Sequence, residues 1–373
     1  SPFCKKDMWH NDGTGWDVVD DIVYSTNFYT RRAVDLIQAH DPKQPFYLHL
    51  THQAVHSPWE EPPLSQQIPN GSVWWDQTWG SMLNVLDKGI ANVTNALRAK
   101  GMWESTLIVL VSDNGGDHGV SPSDPTGRTT MANNWPFRGT KLTAWEGGTR
   151  VAAVVGGGFV PTRLRGSSSD VVMHMADWYP TLANLAGAIT NDPAVVNGSV
   201  HDVDGVNMWP AITGANISSP RPWLPVTEGS ILWQQPGGSL FKFITDARRA
   251  RLFTPNGSMW NDTTPHGWNG THVVECVWVS PTDPDICAVC DPIHPCLFEL
   301  KSDPGEAHNL ASDPARASTM ATMKAKLASY VVYVDGNMTA AELQGYDCPD
   351  MNPMGSESLW GTYAGPCCTP KVF

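Results

Sequence analysis

Residues 107–116 have the sequence LIVLVSDNGG, in which an apolar run passes directly into a polar turn ending in two glycines. The run from Leu107 to Val111 is strand-sized, which favours a buried strand. The polar loop begins at Ser112 and extends to about Arg138. In α/β sheets, ligands bind beyond the carboxyl ends of the strands. This stretch therefore indicates both a fold class and the place of a site.

Helical patterns occur before this strand. Residues 24–40 carry an apolar stripe, and residues 79–100 repeat apolar side chains at intervals of three and four. Gly101 is expected to end the second helix. Residues 46–51, with the sequence FYLHLT, have a strand pattern between the two helices.

The same alternation continues after the strand. Residues 151–155 have a strand pattern, and Asp177 stands where an N-cap would precede a helix that ends at Gly187. Strands that alternate with helices predict an α/β fold, with a sheet sandwiched between helices.

The composition changes after Gly214, where prolines, tryptophans, glycosylation sequons and cysteines accumulate. A strand pattern over residues 240–245 and an amphipathic helix over about 316–330 are still recognisable. We predict a large α/β domain over residues 1–213 and a smaller, disulfide-rich α+β domain over residues 214–373.

The charge balance excludes one class of function. Lysine and arginine number 24 against 37 aspartates and glutamates, a formal net charge of −13. Nucleic-acid binding normally needs a basic face, so no nucleic-acid partner is expected. No apolar run approaches the roughly 20 residues of a membrane span.

Sequons and cysteines indicate the cellular compartment. Eight N-glycosylation sequons, with three crowded between Asn256 and Asn269, favour the secretory pathway, with a lysosomal or extracellular destination. Cysteines there form disulfides, although a zinc site at Cys276, Cys287, Cys290 and Cys296 is a weaker alternative. The sequons are at Asn70, Asn92, Asn197, Asn216, Asn256, Asn261, Asn269 and Asn337.

Five side chains are candidates for a site. Asp113 and Asn114 offer two hard oxygen ligands for calcium, or they are simple turn formers. His56 follows a predicted strand and is suited to hydrogen-bonding an anion, or it is an ordinary loop histidine. Lys141 is a compact charge suited to a sulfate or phosphate oxygen, or it is a solvated loop charge. Trp135 is suited to stacking on a sugar ring or to packing.

In their order along the chain, these blocks resemble the sulfatase family, most closely its arylsulfatase B (N-acetylgalactosamine-4-sulfatase)-like branch. Residues 53–58, QAVHSP, are similar to the family's histidine loop. Residues 112–116, SDNGG, and the segment 133–150, with NNWP, RGTK and WEGG, follow at similar spacing. Residues 297–300, LFEL, resemble a signature of the C-terminal domain. Each block is weak, but the ordered set is specific.

The resemblance implies an alkaline-phosphatase-like mixed sheet between helices, with a four-stranded sheet in the C-terminal domain. It implies a hydrolase of sulfate esters, with a sulfated carbohydrate or aryl sulfate as substrate. Asp113 and Asn114 would bind one calcium ion, with Asp113 also near the nucleophile. Lys141 would hold a sulfate oxygen, His56 would contact the sulfate and protonate the leaving alcohol, and Trp135 would contact the substrate.

One family motif is missing. Sulfatases carry a Cys-x-Pro-Ser-Arg motif whose cysteine becomes the nucleophilic formylglycine, and the nearest string here, CDPIH at residues 290–294, lacks the serine and arginine. We therefore expect an N-terminally truncated chain, inactive by itself, with residues 1–213 forming the C-terminal part of the catalytic domain. The alternatives are a non-catalytic protein that binds sulfated glycans and a phosphodiesterase of the same superfold.

Overall fold

The computed structural model describes residues 24–56, 59–69, 77–116, 132, 134–141, 143–188, 203–214, 219–227, 229–245 and 290–337. It also gives the backbone of six short strands that pair as antiparallel ribbons. These are β1 (Trp9–Asn11) with β2 (Trp16–Val18), β5 (Val195–Val196) with β6 (Ser199–Val200), and β11 (Tyr346–Asp347) with β12 (Thr369–Pro370).

Two long helices, α1 (Ser25–Ala39) and α2 (Gln77–Ala99), pack against each other. Their apolar stripes meet in a core cluster that contains Ile37, Leu97 and Met102. Both helix predictions are confirmed. Gly101 has a φ of 72°, the left-handed conformation that ends a helix, as expected.

The strand at the decisive stretch is β3 (Ile108–Val111), and its partner is β4 (Ala153–Gly156). The two run antiparallel, with Leu110 opposite Val154. A parallel pair would need a long crossover connection, usually helical. Within the described part of the connection, the helical segment is the four-residue α3 (Glu146–Thr149).

The prediction of a strand over residues 46–51 is wrong. The side chains of this segment alternate between half-buried and exposed, as the sequence pattern requires. However, it is not paired as a strand with any part of the chain that the structure describes. A strand needs a ladder partner, which the local pattern cannot supply.

The C-terminal part contains a four-stranded antiparallel sheet in the order β10-β9-β8-β7. Its strands are β7 (Trp223–Thr227), β8 (Ser230–Gln234), β9 (Leu240–Ile244) and β10 (Cys296–Glu299). One face packs on α6 (Ala317–Asn337), where Ile231, Phe243 and Met323 are fully buried. The predicted strand and helix of this region are confirmed.

Asp177 occupies the predicted N-cap position, but its side chain has another role. It precedes α4 (Trp178–Leu185), but its side chain makes no cap hydrogen bond to that helix. Its fully buried carboxylate instead accepts from the Nε of Arg221 at 2.8 Å and from the backbone N–H groups of His174 and Val206. A buried carboxylate needs such partners, and Arg221 supplies the opposite charge from 44 positions away.

Among the cysteines in the described part of the chain, Cys290 and Cys296 form a disulfide at the start of β10. This confirms the disulfide interpretation for this pair, while Cys276 and Cys287 lie outside the described residues. The remaining short helix is α5 (Trp209–Ile212). Within the described residues, no helix combines the length and apolar character that crossing a membrane requires.

Candidate active site

Two of the predicted site residues are in direct contact. The Nζ atom of Lys141 lies 3.2 Å from the Nε2 atom of His56, although 85 positions separate them in the chain. Lys141 is half-buried and His56 is exposed, so an anion has access to both. The ammonium group of Lys141 and the imidazole of His56 thus place one positive charge and a second hydrogen-bonding group side by side on an acidic protein.

The backbone of Lys141 attaches it to the loop that carries Asp113. Its N–H donates to the carbonyl of Gly116 at 3.1 Å, at the end of the loop that follows β3. The Thr140 hydroxyl donates to the same carbonyl at 2.8 Å. The structure therefore brings His56, Lys141 and the Asp113 loop into one neighbourhood.

Asn134 holds the two segments together, a role that the sequence did not reveal. Its side-chain amide donates to the Gly116 carbonyl at 2.8 Å, and its Oδ1 accepts from the Gly116 N–H at 2.9 Å. A third hydrogen bond runs from its side-chain amide to the Gly139 carbonyl at 3.1 Å. The residue stands in the block that resembles the family, but its role depends on contacts that no local pattern encodes.

Glycine is required where the loop after β3 approaches α3. The N–H of Gly115 donates to the Gly148 carbonyl at 3.0 Å. A Cβ atom at position 115 would overlap the carbonyl of Gly147. The two glycines that end the decisive stretch thus allow the Asp113 loop to pack against α3.

Asp113 and Asn114 present hard oxygens at the end of β3. Asp113 is exposed, and its Oδ1 accepts from the backbone and side-chain nitrogens of Asn114, each at 2.9 Å. A carboxylate and an amide suit calcium rather than zinc, which prefers nitrogen and sulfur. They are two ligands of the six to eight that calcium takes, and no cluster of three or more metal-binding side chains occurs among the described residues.

Trp135 follows Asn134 directly, at a cis peptide bond to Pro136, and its side chain is 62% exposed. Its packing alternative is therefore limited to part of the ring. Next to Asn134, the exposed part of this indole can contact a ligand.

A buried charge cluster adjoins the site. The Nζ atom of Lys242 donates to Oε1 of Glu146 at 2.8 Å and lies 3.1 Å from Oε1 of Glu306. All three side chains are at most 5% exposed. Burial raises the pKa of Glu306 to about 7, and the Glu146 carboxylate adds to that rise although Lys242 opposes it. Nothing in the local sequence indicated that these residues meet.

No nucleophile of the family type can be assigned in this chain. Cys290, in the string nearest to the missing motif, is fully buried and bonded to Cys296. The nucleophilic form of cysteine is the thiolate, and a cysteine sulfur in a disulfide has none. Cys290 therefore cannot supply formylglycine, while the described Lys141 and His56 have the chemistry of an anion-binding site.

Comparison with known families and proteins gives a consistent picture. The family model described as Sulfatase matches residues 2–188, half of the chain. Arylsulfatase J of Mus musculus is 35% identical over 223 residues, covering 58% of this chain and 33% of the relative. Steryl-sulfatase of Mus musculus is 30% identical over 298 residues, covering 76% of this chain and 41% of the relative. The chain thus spans less than half the length of these curated relatives.

Among solved structures, the PsFucS1 sulfatase from Pseudoalteromonas sp. superposes with a TM-score of 0.60 at 20% identity. The match covers 88% of this chain and 58% of that one. At this identity the likeness concerns the fold, and it confirms the predicted alkaline-phosphatase-like α/β architecture.

Proposed function

The chain belongs to the sulfatase family, and from this premise we propose that it supplies the anion-binding part of a sulfate-ester hydrolase. The substrate class is sulfated glycans or aryl sulfates. One observation carries the proposal, namely the 3.2 Å contact between Lys141 and His56 beside the loop of Asp113. Cationic and hydrogen-bonding groups of this kind stabilise the negative charge of a tetrahedral oxyanion.

Each side chain has a distinct task in the proposal. The Lys141 ammonium donates to a sulfate oxygen and stabilises the charge that spreads over the sulfate as its ester bond breaks. The His56 imidazole hydrogen-bonds to the sulfate and, when protonated, gives its proton to the leaving alcohol oxygen. Because Lys141 and His56 touch, one bound sulfate can contact both.

Calcium fits the donor set at Asp113 and Asn114. When bound, the ion would act as a Lewis acid on the sulfate. Its remaining oxygen ligands would come from elsewhere, since two donors fill only part of a calcium shell. We place the formylglycine nucleophile outside residues 1–373, because this sequence has no Cys-x-Pro-Ser-Arg motif, and we derive no nucleophilic step from this chain.

We also propose the branch of the family, a feature of the substrate and the cellular location. The ordered motifs favour the arylsulfatase B-like branch, and the exposed Trp135 supports a sugar ring as part of the substrate. The eight sequons and the disulfide of Cys290 and Cys296 support a lysosomal or extracellular glycoprotein. Asn92 is exposed on α2, as an N-glycosylated residue must be.

The first experiment measures the binding of inorganic sulfate to the 373-residue chain by calorimetry at constant ionic strength. Replacing Lys141 with Met should weaken binding about tenfold or more, because one charge-assisted hydrogen bond is lost. The matched control is Lys43→Met, which removes an exposed lysine from the turn that follows α1. Equal sulfate affinity in both variants would refute the proposal.

The second experiment uses the full-length protein with an aryl sulfate and the corresponding aryl phosphate. A sulfatase turns over the sulfate ester in preference to the phosphate, whereas a phosphodiesterase of the same superfold shows no such preference. Sulfate binding without turnover of either ester would identify the non-catalytic alternative. Lys141→Met in the same assay links the activity to the site.

A further inference from the structure

Two segments of the site, the Asp113 loop and the segment from Arg138 to Lys141, are attached to the short helix α3. We call these two segments the site loops. The Gly148 carbonyl accepts from the N–H of Gly115, next to Asn114. The N–H of Gly147 donates to the Arg138 carbonyl at 2.6 Å, three residues before Lys141. α3 therefore bonds to both segments, in addition to the direct hydrogen bonds that Lys141 and Asn134 make to Gly116.

This helix lacks a local cap. Trp145 occupies the N-cap position and makes no side-chain cap hydrogen bond, so the first N–H groups need other partners. The carboxylate of Glu306 supplies one, accepting from the Glu146 N–H through Oε2 at 2.7 Å across 160 positions. Lys242 on β9 holds Glu146 Oε1 at 2.8 Å, which ties the helix to the C-terminal sheet.

Glu306 is itself buried and held by its own contacts. It has a φ of 55°, its side chain is fully buried, and its carbonyl accepts from Nη1 of Arg138 at 3.1 Å. Glu306 thus contacts both ends of the segment from Arg138 to Glu146, which contains Lys141. A left-handed conformation in a non-glycine residue persists only where the surroundings demand it.

We propose that Glu306 is a positioning residue for the sulfate site: by capping α3 from the C-terminal part of the chain, it sets the spacing of the Asp113 loop and Lys141. This inference rests on the proposed function for its consequence in sulfate binding. Its structural part, the coupling of Glu306 to the two loops through α3, stands independently.

The first test is residue-resolved hydrogen exchange on the 373-residue chain. Glu306→Ala should speed exchange at the Glu146 and Gly115 amides about tenfold or more, because the cap is lost. The control is Asp177→Asn, which weakens another buried ion pair, with Arg221, whose hydrogen bonds lie outside the site loops. Unchanged exchange at Gly115, or the same acceleration in the control, would overturn the proposal.

The second test compares sulfate affinity among variants of Glu306. Glu306→Gln keeps an oxygen that can accept from the Glu146 N–H, and it should bind sulfate within about threefold of the parent. Glu306→Ala and Glu306→Asp, whose side chains are absent or too short, should bind about tenfold more weakly. If Ala does not fold, Asp answers the same question. Equal affinity in Gln and Asp would contradict the role of the cap.

The two failures can be told apart. If Lys141→Met leaves sulfate binding unchanged, the proposed function is wrong and hydrogen exchange alone decides whether Glu306 positions the loops. If Lys141→Met weakens binding but the shortened Glu306 variants do not, the sulfate site stands and the positioning role is rejected.

Discussion

Lys141 and His56 face each other across 3.2 Å, joining the segment after α1 to the loop region after β3. The contact predicts that the two residues act as a unit on a bound anion. His56→Gln alone should weaken sulfate binding less than Lys141→Met, because glutamine retains a hydrogen-bonding group. The double variant should lose less than the sum of the single losses, by about 0.5 kcal/mol or more. A double-mutant cycle on sulfate affinity measures this term, and strict additivity would speak against a shared anion.

The raised pKa of Glu306 predicts how stability depends on pH. The pKa of Glu306 is about 7 in the folded chain and 4.5 ordinarily. Between these two pH values, the folded chain therefore holds a proton that the unfolded chain has released. Stability from this group is fully present below about pH 4.5 and is lost as pH rises through about 7. The difference is on the order of 3 kcal/mol.

Glu306→Gln removes that titration. Urea unfolding at about pH 5 and about pH 7.5 should show a smaller loss of stability with rising pH in the variant than in the parent. The control is Glu104→Gln, an exposed carboxylate that should leave the pH dependence unchanged. A parent whose stability rises over this range, with the same slope in Glu306→Gln, would contradict the assignment.

Asn134 bridges the Gly116 peptide and the Gly139 carbonyl, so its replacement by Ala removes three hydrogen bonds, among them the one from the Gly116 N–H. We expect a loss of about 1–3 kcal/mol in the free energy of unfolding, together with weaker sulfate binding. Asn95→Ala, at an exposed position of α2, is the matched control and should stay within about 0.5 kcal/mol of the parent. Thermal unfolding and sulfate titration check both parts, and a neutral Asn134 variant would remove the residue from the site.

The disulfide of Cys290 and Cys296 closes a short loop at the start of β10, and both residues are fully buried. Replacing both with Ser should lower the free energy of unfolding by roughly 2 kcal/mol or more. Denaturant unfolding gives the value. Metal analysis of the purified chain tests the competing zinc interpretation, which requires bound zinc that Cys290→Ser releases.

Local patterns predicted a large share of the fold because helices depend on residues close in sequence. The apolar stripes of α1 and α2 and the stop at Gly101 were recognisable for this reason, and so was strand β3. Residues 46–51 show the limit of the approach. Their alternation was read correctly, but a strand also depends on a partner that a short window does not contain.

The sequence by itself determined the residue types of the site and their order along the chain: a carboxylate and an amide after a buried strand, an imidazole and an ammonium. Only the tertiary structure decided that Lys141 touches His56, that Asn134 joins the loops, and that Asp177 pairs with Arg221 instead of capping α4. It also decided that Glu306 reaches Glu146 across 160 positions. The physical reason is that a buried charge or backbone N–H accepts whichever partner the packing brings within about 3 Å, and packing depends on the whole chain.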